Sequence, residues 1–256
     1  MNEFHVLIPA RLASTRLPEK ALVDLGGRPL IVRVWENALA SGADSVAVAT
    51  DSERIAEAVR AAGGRVVMTA ADHDSGTSRL AEAAEILGLD RRAVVVNVQG
   101  DEPAVPVACI AQLVKLLDAD REAHMATLFA PLAQREQWSD PNVVKLVTDH
   151  AGRALYFSRA PIPACRDGDW PAGGVRRHVG LYGYRVRALQ DWRGLPASPL
   201  AEAESLEQLR PLQAGWRIAC SEAVESIPPG VDTEADLAAM RRRFRNESRQ
   251  PVNGVS

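Results

Sequence analysis

Four short apolar runs, at residues 4–9, 45–50, 65–69 and 93–98, alternate with stretches of helical spacing. This alternation constrains the chain more than any other feature. Strands interleaved with helices build an open, mainly parallel sheet with helices on its faces. The fourth run, AVVVNV, is apolar at both odd and even positions, as a parallel strand covered on both faces requires. Helices are expected at 29–39, at 53–62 with Gly63-Gly64 as a stop, and from a cap at Thr77 or Ser78 to residue 87. Lys115 falls in a further amphipathic stretch.

The pattern changes after residue 123. Strands are expected at 124–131, 143–148, 153–158 and 177–185, with turn chemistry in Asp140-Pro141-Asn142 and Asp149-His150-Ala151-Gly152. Residues 164–176, rich in Gly, Pro and charge, read as a mobile loop. Helices at 187–193 and 200–209, a strand at 216–221 and a last helix capped by Thr233, with Asp236 as capping-box partner, complete the chain. The expected class is a Rossmann-like α/β fold with a mainly parallel central sheet and a smaller strand-rich lobe at about 124–190. Residues 1–245 are expected to form one domain, and 246–256 a disordered tail.

Composition removes several function classes. A net charge of -3 does not suit a general nucleic-acid binder. No apolar run approaches the roughly 18 residues of a membrane span. The start, Met1-Asn2-Glu3-Phe4-His5, lacks a basic segment and apolar core, so an unprocessed, cytoplasmic protein is expected. Cys109, Cys165 and Cys220 are far apart and form no zinc pattern with histidine. Of 30 basic residues only Lys20, Lys115 and Lys145 are lysines. A chain that defaults to Arg has reason to place a compact, mobile ammonium where it does.

The loop Pro9 to Lys20 leaves the first strand, and ligands of open α/β sheets bind beyond the strands' carboxyl ends. It carries Arg11, Arg16 and Lys20 with the hydroxyls Ser14 and Thr15. That set can neutralise and hydrogen-bond a triphosphate. It is neither a Walker loop nor a dinucleotide glycine fingerprint, which argues against a Rossmann dehydrogenase. A solvated charged loop would read similarly. Gln99-Gly100-Asp101-Glu102-Pro103 follows the fourth strand and brings Asp101 to the same crevice. Magnesium takes one or two carboxylates and completes its shell with phosphate and water. Asp232, in Pro229-Gly230-Val231-Asp232-Thr233, is the second carboxylate chosen, although a helix N-terminal anion would look the same.

An acceptor could lie on three segments. In the strand 177–185, His178, Gly180, Tyr182 and Tyr184 share one face, and small Gly180 leaves room; a plain aromatic pair is the alternative. Arg79 at a helix start suits a carboxylate. Glu207 and Gln208 fall in the helix expected at 200–209, one turn after Glu204, where polar residues often form only a solvated face.

Together these segments resemble the 3-deoxy-D-manno-octulosonate cytidylyltransferase (CMP-Kdo synthetase) family. The likeness runs in order through IPARLASTRLPEKAL, VATDSERIA, ADHDSGTSRLAE, NVQGDEP, PNVVKLV, ALYFSRAPIP, RHVGLYGYR, SPLAEAESLEQLR and GVDTEADL, nearly the whole chain. The resemblance implies transfer of CMP from CTP to the anomeric hydroxyl of Kdo, with release of pyrophosphate, for lipopolysaccharide synthesis. It also implies a homodimer, with the 124–190 lobe serving acceptor binding and dimerisation. Arg11, Ser14, Arg16 and Lys20 then correspond to triphosphate ligands, and Arg11, Lys20 and Asp101 to catalytic groups. Asp101 and Asp232 correspond to Mg2+ ligands. Arg79, Gln99, His178, Tyr182, Glu207 and Gln208 correspond to the Kdo pocket, while Lys145 and Arg159 lie in matching blocks without an assigned role. A cytidylyltransferase for another sugar acid, of amino-Kdo or sialic acid type, and a nucleotide-binding regulator without turnover are the alternatives.

Overall fold

The structure is a computed structural model that describes residues 3–14, 16–132, 134–166 and 175–247, without the side chains of 246 and 247. Thr15, most of the 164–176 loop and the tail from 248 lie outside the described residues.

The first half follows the sequence pattern closely. Strands β1 (Phe4–Ala10), β2 (Ser45–Thr50), β3 (Arg65–Met68) and β4 (Val94–Asn97) alternate with helices α1 (Leu30–Leu39), α2 (Glu53–Ala61) and α3 (Gly76–Ile86). β1 pairs in parallel with both β2 and β4, and β2 with β3. The continuous apolar runs are explained by two cores, one on each face. Val6, Ile8, Val94 and Val96 point to one, with Ile31 and Trp35 of α1. Leu7, Val95, Ala47 and Ala49 point to the other, with Leu80 and Ala84 of α3. Alternate side chains of β1, β2 and β4 are therefore buried on opposite faces.

The second half extends the same sheet. After α4 (Val107–Ala119) come β5 (Met125–Pro131), α5 (Arg135–Ser139), β6 (Lys145–Thr148), β7 (Ala154–Ser158) and β8 (Arg176–Arg185). They lead into α6 (Val186–Trp192), α7 (Pro199–Glu204), α8 (Leu209–Gln213), β9 (Ile218–Glu222) and α9 (Glu234–Glu247). The sheet order is β3-β2-β1-β4-β8-β5-β9, with β6 and β7 off this path. β8 runs antiparallel to both β4 and β5, and β6 pairs with β7 and the start of β8.

Two expected elements are corrected. The cap of α3 is Ser75, not Thr77 or Ser78; Ser75 accepts from Ser78 N, and Ser78 answers as the partner of the capping box. The helix expected at 200–209 is two short ones. Ser205 takes a left-handed conformation at φ 50°, and Leu206 N bonds back to Ala201 O at 3.1 Å, which closes α7. Leu206 is thereby buried in the core. Glu207 stands in the connecting turn and Gln208 is the N-cap of α8, so neither lies inside a helix.

Candidate active site

The order of the strands reverses between β1 and β4: the chain goes from β1 outward to β2 and β3, then returns to place β4 on the other side. A crevice opens where two such strands part at their carboxyl ends. The loop after Ala10 and the segment 99–102 after Asn97 both emerge there. They meet closely at Gly100, where a Cβ would sit 2.8 Å from the carbonyl oxygen of Pro9. Only glycine lets the two backbones approach this far.

The crevice holds a cavity of about 560 Å³. Arg11, Ser14, Arg16 and Lys20 line it from the first loop, and Gln99 and Asp101 from the second. Asp232 closes one side; Ser75, Gly76 and Arg79 at the start of α3 form another. Asp232 arrives because Val231 N bonds to Asp101 O at 2.8 Å, with Gly230 packed where a Cβ would meet Asp101 O and Glu102 Cγ, each at 3.3 Å. The start of α9 is capped by Thr233, whose Oγ1 accepts from Asp236 N at 3.2 Å, and Asp236 answers by accepting from Thr233 N at 2.9 Å. The Asp232 carboxylate is thus not spent on its own helix.

It turns instead to cations. Lys20 Nζ lies 2.5 Å from Asp101 Oδ2 and 2.9 Å from Asp232 Oδ1. Arg16 Nη2 is 3.0 Å from Asp232 Oδ2. Burial works against the Lys20 charge, but hydrogen bonds to the two carboxylates, and their charges, outweigh it and raise its pKa. Sequence reading did not single out Glu102, next to Asp101. Its Oε2 is buried without a hydrogen-bond partner, and burial plus the charges of Asp101 and Asp232 push its pKa up to about 8. Among the described residues no three His, Cys, Asp or Glu side chains form a metal cage. The donor set still fits magnesium: two hard oxygen ligands already converge on one positive charge, and the open positions face a cavity able to hold phosphate.

Tyr182 stands opposite Asn97 across the β4–β8 ladder, two residues before Gln99. Because β8 runs antiparallel, its earlier residues, His178 among them, extend past the end of β4 on the crevice side. His178 packs edge-on to Phe157 with ring centres 5.0 Å apart and is tilted against Tyr182 at 5.4 Å. Burial and the charge of Arg177 press the His178 pKa down to about 3, so the imidazole is neutral. Burial raises Tyr182 well above its ordinary value. Glu207 joins this side through Thr77, whose Oγ1 donates to Glu207 Oε2 at 2.9 Å. Burial raises the Glu207 pKa, while hydrogen bonds from Ser75 and Thr77 work against the rise. His178, Tyr182, Glu207 and Gln208 do not line the cavity itself. Gln208 is buried. Arg79 does line it, but its Nη1 is engaged by Thr69 Oγ1 at 2.6 Å and lies 3.4 Å from Asp51 Oδ1.

Lys145 and Arg159 work elsewhere. Lys145 is fully buried, and its ammonium donates to the carbonyls of Asp140, Val143 and Arg159 at 2.9, 2.6 and 2.5 Å. Burial lowers its pKa. Arg159 N donates to Glu204 Oε2 at 2.8 Å, and its guanidinium to the carbonyls of Glu204 and Pro141. The two cations tie the loop before β6, the end of β7 and the end of α7 into one body.

The sheet order and crevice are those of nucleotidyltransferases. A family model described as Cytidylyltransferase matches residues 5–220. Among curated relatives, the 3-deoxy-manno-octulosonate cytidylyltransferase of Leptothrix cholodnii is 51% identical over 247 residues, covering 94% of this chain and 91% of the relative. That of Hahella chejuensis is 49% identical over 248 residues, covering 94% and 97%. A solved structure of CMP:2-keto-3-deoxy-manno-octonic acid synthetase complexed with CTP superposes with a TM-score of 0.89 at 40% identity, over 96% of this chain and 99% of that one. 4-Diphosphocytidyl-2C-methyl-D-erythritol synthase, at 12% identity and a TM-score of 0.61 over 95% and 99%, shares the fold. The chain belongs to the 3-deoxy-manno-octulosonate cytidylyltransferase family.

Proposed function

We propose that the chain transfers CMP from CTP to the anomeric hydroxyl of Kdo, giving CMP-Kdo and pyrophosphate, for lipopolysaccharide synthesis. The observation that carries this reading is the convergence of Lys20, Asp101 and Asp232 at the switch point, in a chain of this family. The anomeric hydroxyl oxygen attacks the α-phosphorus and gives up its proton to solvent, the bond between that phosphorus and the bridging oxygen to the β-phosphate breaks, and pyrophosphate departs. Arg11, Ser14, Arg16 and Lys20 bind and neutralise the phosphates, so that much of the rate comes from positioning and charge stabilisation. Asp101 and Asp232 would hold magnesium, which when bound would neutralise further charge and make an attacking hydroxyl more acidic. Gln99, His178, Tyr182 and Glu207 face the acceptor side, where their hydrogen-bonding groups suit a polyhydroxylated acid. His178, held neutral, is a hydrogen-bonding group there and not a strong base.

The reading places the enzyme in the cytoplasm, with CTP. No helix among the described residues is long and apolar enough to cross a membrane. We infer a homodimer as well. Support comes from β7, off the main sheet path, which exposes Leu155 at 59%; sedimentation equilibrium of the purified chain tests it. The reaction is tested by pyrophosphate release with magnesium, four nucleoside triphosphates and a set of sugar acids. Turnover with CTP and Kdo is expected. Turnover confined to a sialic or amino-Kdo acceptor would replace the acceptor, and no release with any pair would overturn the reading.

A further inference from the structure

The β5–β8 ladder carries an irregularity beside the proposed acceptor pocket. Thr127 pairs with Tyr182, but its neighbour Leu128 pairs with Val179, so Gly180 and Leu181 have no partners on β5. Such a bulge turns carbonyls out of the ladder. Two of them close on Thr127, which is fully buried: its Oγ1 lies 3.1 Å from Val179 O and 2.9 Å from Leu181 O. The same oxygen lies 3.0 Å from His178 Nε2.

The proton count at this oxygen decides the state of the ring. A hydroxyl has one proton and carbonyl oxygens only accept. With two carbonyls within 3.1 Å, the Thr127 proton goes to them, and the hydroxyl's lone pair faces Nε2. His178 Nε2 must then be the donor. A neutral imidazole has one N–H, so Nδ1 is left as a bare acceptor. Among the described residues Thr127 is the ring's hydrogen-bond partner, and Phe157 and Tyr182 hold its plane. Beside it, Gly180 is exposed, with nothing within 4 Å of where a Cβ would be.

We propose that Thr127 fixes His178 in the Nε2–H form, so that Nδ1 accepts a hydrogen bond from a hydroxyl of the sugar acid. Thr127 is thereby a positioning residue for the acceptor. This assigns His178 to a substrate hydroxyl and not to the carboxylate, which a bare nitrogen would repel. The inference rests on the reading that β8 borders the acceptor pocket.

The test combines long-range 1H–15N correlation of the histidine rings with steady-state kinetics, on the full chain and on Thr127→Val and Thr127→Ser. The wild type is expected to show His178 protonated at Nε2 and bare at Nδ1. Thr127→Val, which keeps the shape but removes the hydroxyl, is expected to give a tautomer mixture and a KM for Kdo raised about tenfold, the worth of one good hydrogen bond, with KM for CTP unchanged. Thr127→Ser is expected to restore both readouts. A wild-type ring protonated at Nδ1 overturns the proposal, and this needs no variant to fold. So does a Thr127→Val enzyme with an unchanged KM for Kdo, or with both KM values raised alike. A wild type that shows the expected tautomer but never uses Kdo would instead sink the functional reading and leave the role of Thr127 toward the ring standing.

Discussion

The ammonium of Lys20 lies 2.5 Å from Asp101 Oδ2 and within 2.9 Å of Asp232 Oδ1, joining carboxylates 131 positions apart in the chain to one point. The Lys20 side chain is only 19% exposed, so the contact is stronger than a surface ion pair, although Asp232 is open enough for water to screen its share. The consequence is a site where negative charge is already balanced before phosphate arrives.

Replacing Lys20 by Met should therefore do two things. It removes a donor from the phosphates, and kcat/KM should fall by about a hundredfold or more. It also leaves Asp101 and Asp232 unbalanced, so the nucleotide-free variant should bind Mn2+ more tightly than the wild type. Pyrophosphate release and the electron spin resonance of free Mn2+ read the two effects separately. Weaker Mn2+ binding by the variant would mean that Lys20 does not compete for the carboxylates.

Gly100→Ala tests the close approach that shapes the crevice. The added Cβ would lie 2.8 Å from Pro9 O and 3.4 Å from Ile31 Cδ1. Backbone must move, at a cost of about 1–3 kcal/mol, and Asp101 moves with it. Activity should fall further than stability does, as judged by turnover against the urea midpoint. Full activity would show that the loop yields without displacing Asp101.

How much of this was legible beforehand depends on distance along the chain. The four parallel strands were readable because each carries its own apolar signature, and β1, β2 and β4 are covered on both faces. The crevice loops were readable because they directly follow β1 and β4. The place of β8 was not, since nothing local in residues 176–185 says that it pairs with β4 on one side and β5 on the other. The break at Ser205 was hidden because serine, unlike glycine, does not advertise a left-handed turn. Lys145 was noticed for its rarity, but only the fold shows that it is buried among three carbonyls, away from the crevice.

Lys145→Met should destabilise the chain. Three part-buried carbonyls lose their donor, each worth up to roughly 1–3 kcal/mol when left unmet. Removing a buried charge offsets part of that, so a net loss of about 2–3 kcal/mol is expected. Urea unfolding gives the value directly. An unchanged midpoint would mean that water replaces the ammonium.

The neutral state of His178 should appear in the pH dependence of stability. The unfolded chain takes up a proton on this ring as pH falls through its ordinary value of 6.5. In the fold, burial and Arg177 hold it neutral down to about 3. Between those values the unfolded state binds more protons, so stability rises with pH across the window and the contribution is complete above 6.5. His5 and His124 are also lowered by burial and act in the same direction. They are common to the wild type and to His178→Gln, so the difference between the two proteins isolates His178. Whatever its starting stability, the variant should lose less than the wild type from neutral pH to about pH 4. Parallel losses in urea unfolding would show that the folded protein protonates His178 as readily as the unfolded chain does, and that its imidazole is not held neutral.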